Sequence, residues 1–327
     1  MDIRALKYEA DQTLRQASYP PRRLVLIHTG IALGVSLLLA LFSYILDHNV
    51  SGDGGLSGLG TQAALATAQV VLQLASMVLM PFWQAGLLFT MVGYARNRSV
   101  HPQNLTEGFR RFVPILTSSL MMGVQYMARS IVSVYLSSML VTFTPFAAPV
   151  YQLAAMLEKN PNLDITTVHV DGMAAFYAAM AVIFVLVFGA LVLPVFYRYR
   201  MVNYIIMDDQ KVGGMRAMLL SRMMMYRRRV KLFKLDLSFW WFYGLEILLS
   251  VISLGSVLLP LVGVKLPFSE DAAYWIFQLL CIAGQLGLYY LVKPKLEVTY
   301  ALCYEQFRQN AEPPAPPKMP QSHPWED

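Results

Sequence analysis

A chain of 327 residues with 56% hydrophobic and only 14% charged side chains cannot cover a water-facing surface, because globular domains carry about 25% charged residues. The apolar excess needs a non-aqueous solvent, and a lipid bilayer supplies one. A formal net charge of +6 would suggest a nucleic-acid partner in a soluble protein, but here the charge gathers in short segments between long apolar runs, where it reads as membrane topology instead.

Taken in chain order, the first element is an amphipathic helix within residues 1–23. Ile3, Leu6, Ala10, Leu14 and Ala17 recur at helical spacing against Arg4, Lys7, Asp11 and Arg15, and Tyr19-Pro20-Pro21 ends the pattern. A cleaved signal peptide is not expected, since the apolar run that follows is too long and carries no small-residue cleavage site. Residues 24–308 then form a membrane domain. It contains six runs long enough to cross about 30 Å of hydrocarbon as helices, which takes about 20 apolar residues each. They lie near residues 24–46, 65–94, 113–141, 174–197, 239–261 and 272–292. The expected fold class is all-α: a polytopic bundle of six transmembrane helices with amphipathic interfacial helices.

Lys and Arg fall almost wholly on one side of these runs. The N-terminal segment, the second and fourth loops and the C-terminal tail hold 23 of the 26, while the alternate loops hold only Lys159 and Lys265. Cytoplasmic loops carry the Lys/Arg excess, so both termini are expected in the cytoplasm. On the other side, residues 46–61 are glycine-rich and read as a flexible loop, whereas FAAPVYQLAAMLEK reads as a segment lying along the outer interface. The sequons at Asn97 and Asn104 fall in a cytoplasmic loop, out of reach of glycosylation.

Polar residues inside the runs define a candidate intramembrane site: Arg129, Tyr126, Ser133, Gln73, Glu246 and Gln285. In the third run Ser119, Tyr126, Ser130, Ser133 and Ser137 share one helical face, with Arg129 at its margin. An arginine at a helix centre costs about 2.5–3.5 kcal/mol on insertion scales, so it faces protein or water. One reading is a solute site in which Arg129 attracts an anionic substrate. The other is close helix packing through small and hydroxyl side chains. At helical rise, Glu246 lies about 10 Å and Arg129 about 24 Å from their cytoplasmic helix ends, so a direct ion pair is not expected.

The main cytoplasmic feature is a basic helix over residues 213–238, ending in MYRRRVKLFKLDLSFWW. Helical over 226–237, it places Tyr226, Val230, Phe233 and Leu237 on one arc and Arg227, Lys231 and Lys234 on the next. An apolar face flanked by cations is the pattern of a helix in the headgroup layer, and Trp240 and Trp241 suit the interfacial aromatic belt. Arg227, Arg228, Arg229, Lys231 and Lys234 are the candidate contacts to anionic phospholipids. The segment serves either general anchoring or specific headgroup binding. Nucleic acid is not expected, and a protein partner or homo-oligomer is left open. Cys281 and Cys303 read as small core residues, not as a disulfide or metal pair. No HExxH, Walker, GxSxG or dinucleotide fingerprint is present, so neither enzymatic activity nor a cofactor is expected. Residues 309–327 are proline-rich and read as a disordered tail.

Three stretches resemble a known family: MPFWQAGLLFTMVGYARNRSVHPQNLTEGFRRF, YRYRMVNYIIMDDQKVGGMRAMLLSRMMMYRRRVKLFKLDLSFWWF and KPKLEVTYALCYEQF. The chain is similar to the bacterial multi-pass membrane proteins grouped as domain of unknown function 975. The likeness rests on the charged N-terminal helix, on Glu107-Gly108-Phe109, and on Ser221 followed by KLFKLDLSF. The closing aromatic pair Tyr300 and Tyr304 completes it. It departs at Trp240-Trp241, where the family has Gly-Trp, and at Pro294-Lys295, where it has Pro-Tyr. The resemblance implies a multi-pass protein of the bacterial inner membrane and supplies no catalytic or binding residues.

Overall fold

Asp2 starts the first helix, α1 (Ile3–Gln16), by accepting a hydrogen bond from the Arg4 backbone N–H at 2.9 Å, as an N-cap aspartate does. The computed structural model describes residues 2–50, 56–160, 170–255 and 269–310, and every regular element among them is a helix. The expected tail lies almost wholly outside the described residues. The apolar stripe of α1 is used internally. Leu6 and Ala10 are fully buried, and α1 packs along α13 (Lys293–Gln309), with Lys7 donating to the Ser238 carbonyl at 2.8 Å and Lys295 paired with Asp11 at 2.5 Å.

The long apolar runs become α2 (Pro21–Val50), α3 (Leu56–Ala95), α5 (Phe112–Thr142), α7 (Met173–Tyr199) and α12 (Glu270–Leu291). Between α3 and α5 lie a 3-10 turn (Pro102–Thr106) and the one-turn α4 (Glu107–Arg110). Among the described residues, four segments are long and apolar enough to cross a membrane: Pro21–Phe42, Thr67–Ala95, Met173–Asp208 and Ala272–Leu291. The number rises to six if two bent pairs each count as one crossing. In the first pair α6 (Ala148–Lys159) and the 3-10 turn before it lie at 91° to α5; in the second, α11 (Trp240–Ser253) lies at 64° to α10 (Arg229–Leu237). Exposed side chains along these helices, such as Leu38, Met77, Val185 and Leu186, are large and apolar, a surface that belongs in hydrocarbon.

The packed core lies at one end of the bundle, where the Lys- and Arg-rich segments meet. It joins α1, the start of α2, the last turns of α3, α8 (Val202–Asp208), α9 (Gly214–Met224), α10 and α13. α13 passes through it with eleven buried residues from Pro294 to Phe307, so a segment that reads as polar in sequence is enclosed on nearly all sides. Two glycines let the backbone close up beside this core. A Cβ on Gly86 would stand 1.8 Å from the Leu105 carbonyl oxygen, and one on Gly108 would stand 1.9 Å from that of Phe82. The 3-10 turn and α4 therefore lie directly on the α3 backbone, and Phe82 stacks on Phe112 at 4.8 Å between ring centres.

Cys303 sits in this core with no exposed surface, and burial, then the Asp236 charge, push its thiol up to about 12. The thiolate is the reactive form, so iodoacetamide at pH 8 is expected to alkylate Cys303 at least about a hundredfold more slowly in the folded protein than in the unfolded chain. Peptide mass spectrometry over a time course reads this directly, and equal rates in the two states would place the residue at the surface.

Candidate functional site

Burying α13 requires partners for its polar side chains, and two carboxylates supply them. Asp208, at the end of α8, receives Arg96 Nη1 at 2.6 Å, Arg308 Nη1 at 2.6 Å and the Tyr304 hydroxyl at 2.9 Å. Arg96 also reaches Glu305 at 2.5 Å, so α3, α8 and α13 are tied at one point by charge-assisted bonds. Burial, reinforced by Asp208, raises the Tyr304 hydroxyl above its ordinary pKa and keeps it a donor. Asp236 on α10 forms the second node. It accepts from Tyr197 at 2.5 Å and from Tyr300, whose hydroxyl also lies 2.9 Å from that of Tyr243. The Arg200 guanidinium lies 4.8 Å from the Tyr300 ring centre and 4.9 Å from that of Phe196, within cation–π range. Beside the first node is a crevice of about 600 Å³ whose lining includes Asp208, Asp209, Arg228, Tyr304 and Arg308.

The basic segment is not one continuous helix. Arg227 takes a left-handed conformation (φ +59°) and separates α9 from α10. The turn aims Arg228 at the end of α13, where it donates to the carbonyls of Phe307 at 2.7 Å and Asn310 at 2.6 Å. A cation on the last carbonyls of a helix satisfies orphan acceptors and complements the dipole. Of the five expected lipid contacts, Arg228 therefore serves the fold and Arg229 is half-buried, while Arg227, Lys231 and Lys234 are exposed. The apolar arc is exposed beside them: Tyr226, Val230, Phe233 and Leu237 point outward, as do Trp240 and Trp241, while Leu232 and Leu235 face the core.

The expected intramembrane set divides. Arg129 donates to the Gln125 carbonyl on its own helix at 2.8 Å, and Ser133 donates to the Arg129 carbonyl at 2.7 Å. Ser133 and Ser137 are fully buried on α5, the helix that packs along α7, the position small residues take between closely packed helices. Tyr126 is half-buried on α5, and Gln73 is exposed on α3. Glu246 and Gln285 face one cavity. Together with Tyr243, Ile247, Ser250 and Tyr289 they line a cavity of about 310 Å³ between α11 and α12, and the Tyr289 hydroxyl donates to Glu246. Sequence reasoning missed Asp208, Asp236 and Tyr289. The available signal for the first two was a carboxylate inside an otherwise basic stretch; Tyr289 carried none, being one of two adjacent tyrosines at the end of an apolar run.

A family model described as "Protein of unknown function (DUF975)" matches residues 4–311 of the chain. No curated protein and no solved structure matches it.

Proposed function

Because the chain belongs to the DUF975 family, whose description assigns no activity, we propose a function from the geometry of its basic face. The protein is a non-enzymatic component of the bacterial inner membrane, with six crossings and both termini in the cytoplasm, that holds anionic phospholipid headgroups against α10. One observation carries this reading: α10 and the bend after it expose Val230, Phe233, Leu237, Trp240 and Trp241 beside exposed Lys231 and Lys234. That apolar arc has no use in water. Set into the headgroup layer it buries its apolar side chains and brings the cations to phosphate level. The Lys/Arg bias of the loops supports the orientation, since it puts this helix on the leaflet side richest in anionic lipid.

Each cation near an anionic leaflet contributes about 1 kcal/mol, so replacing Arg227, Lys231 and Lys234 by Gln together is expected to weaken retention of phosphatidylglycerol by on the order of a hundredfold. Native mass spectrometry of the full chain released from mixed neutral and anionic nanodiscs measures it. Equal retention by wild type and triple variant would remove the lipid reading. The alternative, a small-solute transporter, draws support from the Glu246–Gln285 cavity and not from Arg129, whose guanidinium is turned back onto its own helix.

A further inference from the structure

Glu246 is a carboxylate in an otherwise apolar helix, and little among the described residues neutralises it. Tyr289 bonds to one of its oxygens, and no Lys or Arg forms a salt bridge with it among the described residues. A carboxylate at such a depth normally marks a site whose partner can be named. The cavity it faces is wide for a bare metal ion and poor in ligands. Glu246 is the one acidic side chain in its lining, and no group of three His, Cys, Asp or Glu side chains comes together among the described residues, whereas a calcium ion takes six to eight oxygens drawn largely from carboxylates and carbonyls. The remaining walls are two tyrosine rings, one isoleucine, one serine and one glutamine amide. A single negative charge among aromatic faces is the chemistry that holds an ammonium group, and about 310 Å³ is at the small end of ligand pockets.

We propose that the cavity between α11 and α12 is a binding site for a small organic cation, an amine or quaternary ammonium, with Glu246 as its counter-ion and the rings of Tyr243 and Tyr289 as its walls. An anion would meet the carboxylate, and a neutral solute would leave that charge uncompensated. Lys293 Nζ lies 4.2 Å from the Tyr289 ring centre, within cation–π range, so one face of this ring already carries a cation. The proposal is independent of the lipid contact at α10 and needs only that α11 and α12 lie in the membrane. Tyr243 also connects the site to the second node through Tyr300 and Asp236, so an occupant would touch a chain of hydroxyls that runs into the packed core.

Titration calorimetry with tetraethylammonium, on the full chain in nanodiscs of zwitterionic lipid, tests this. Saturable binding is expected, weakened about tenfold or more in Glu246→Gln and largely kept in Glu246→Asp, since about 1.4 kcal/mol corresponds to tenfold. Tyr289→Phe, which keeps the ring, is expected to bind within about threefold of wild type, while Tyr289→Leu loses about tenfold. Lys293→Met removes a like charge and is expected to bind at least as well as wild type. The ring pair decides the matter even where Glu246→Gln fails to fold. Absence of saturable binding by wild type, equal binding by Glu246→Gln, or equal binding by Tyr289→Phe and Tyr289→Leu would each overturn the proposal. None of these outcomes bears on phosphatidylglycerol retention at α10.

Discussion

Gly86→Ala is expected to lower the stability of the detergent-solubilised protein by about 3 kcal/mol, the upper part of the range for overpacking. The reason is the nature of the obstacle. An added Cβ would stand 1.8 Å from the Leu105 carbonyl oxygen and 2.6 Å from its carbon, and both are backbone atoms with no rotamer to escape into. The 3-10 turn would have to lift away from α3, exposing Leu105, which is 1% accessible. It would also part Gly108 from Phe82 and the Phe82 ring from Phe112. Gly30→Ala and Gly34→Ala on α2 meet nothing within 4 Å and serve as controls. They should be neutral or slightly stabilising, because alanine is favoured over glycine in a helix by about 1 kcal/mol. Thermal unfolding of the three variants separates the cases, and a Gly86→Ala protein that melts with the controls would show that the turn does not lie on α3 as described.

The long helices could be read from sequence because an apolar run of that length has few alternatives. The apolar pattern predicts runs over residues 113–141 and 174–197, and the helices are Phe112–Thr142 and Met173–Tyr199. The fifth run, 239–261, is described only to Gly255, with α11 covering Trp240–Ser253. Hidden from sequence was the place where the chain packs tightly. Arg96 meets Glu305 across 209 residues of chain, and no local period encodes which carboxylate a given arginine will find. α13 reads as polar for the same reason, since Glu297, Tyr300 and Tyr304 are buried only because remote residues enclose them. The expected basic helix 213–238 breaks at Arg227 although the sequence there holds no Gly, Pro or Asn to announce a turn. What accompanies that break is the reach of Arg228 to the end of α13, a tertiary contact. Glu246 and Gln285 were each legible as polar residues in apolar runs; that they share a cavity, and that Arg129 does not line it, depends on which helices pair.

Asp208→Ala is expected to be as damaging as Gly86→Ala for a different reason. Removing one member of a buried ion pair typically costs about 3–5 kcal/mol, because the charge left behind has lost both water and partner. Arg96 and Asp208 are part-buried, with side chains 16% and 12% accessible, and Glu305 beside them is 14% accessible, which puts the expected loss at the lower end of that range. Without Asp208, Arg96 keeps only Glu305, Arg308 loses its carboxylate and the Tyr304 hydroxyl loses its acceptor. Arg308→Ala removes another bond to the same carboxylate, but its side chain is 50% exposed. Water can replace that bond, and the loss should stay below about 1 kcal/mol. The two variants thus delete contacts to one atom group and differ chiefly in how far the stranded partner is from solvent. The triple variant Arg96→Leu/Asp208→Leu/Glu305→Leu, which leaves neither carboxylate of Arg96 stranded, should recover part of the loss, since well-packed apolar side chains often substitute for a buried ionic group at little cost. Thermal unfolding of all three decides it: equal losses in Asp208→Ala and Arg308→Ala would mean that burial does not set the strength of this node, and that α13 is held in place by its apolar contacts alone.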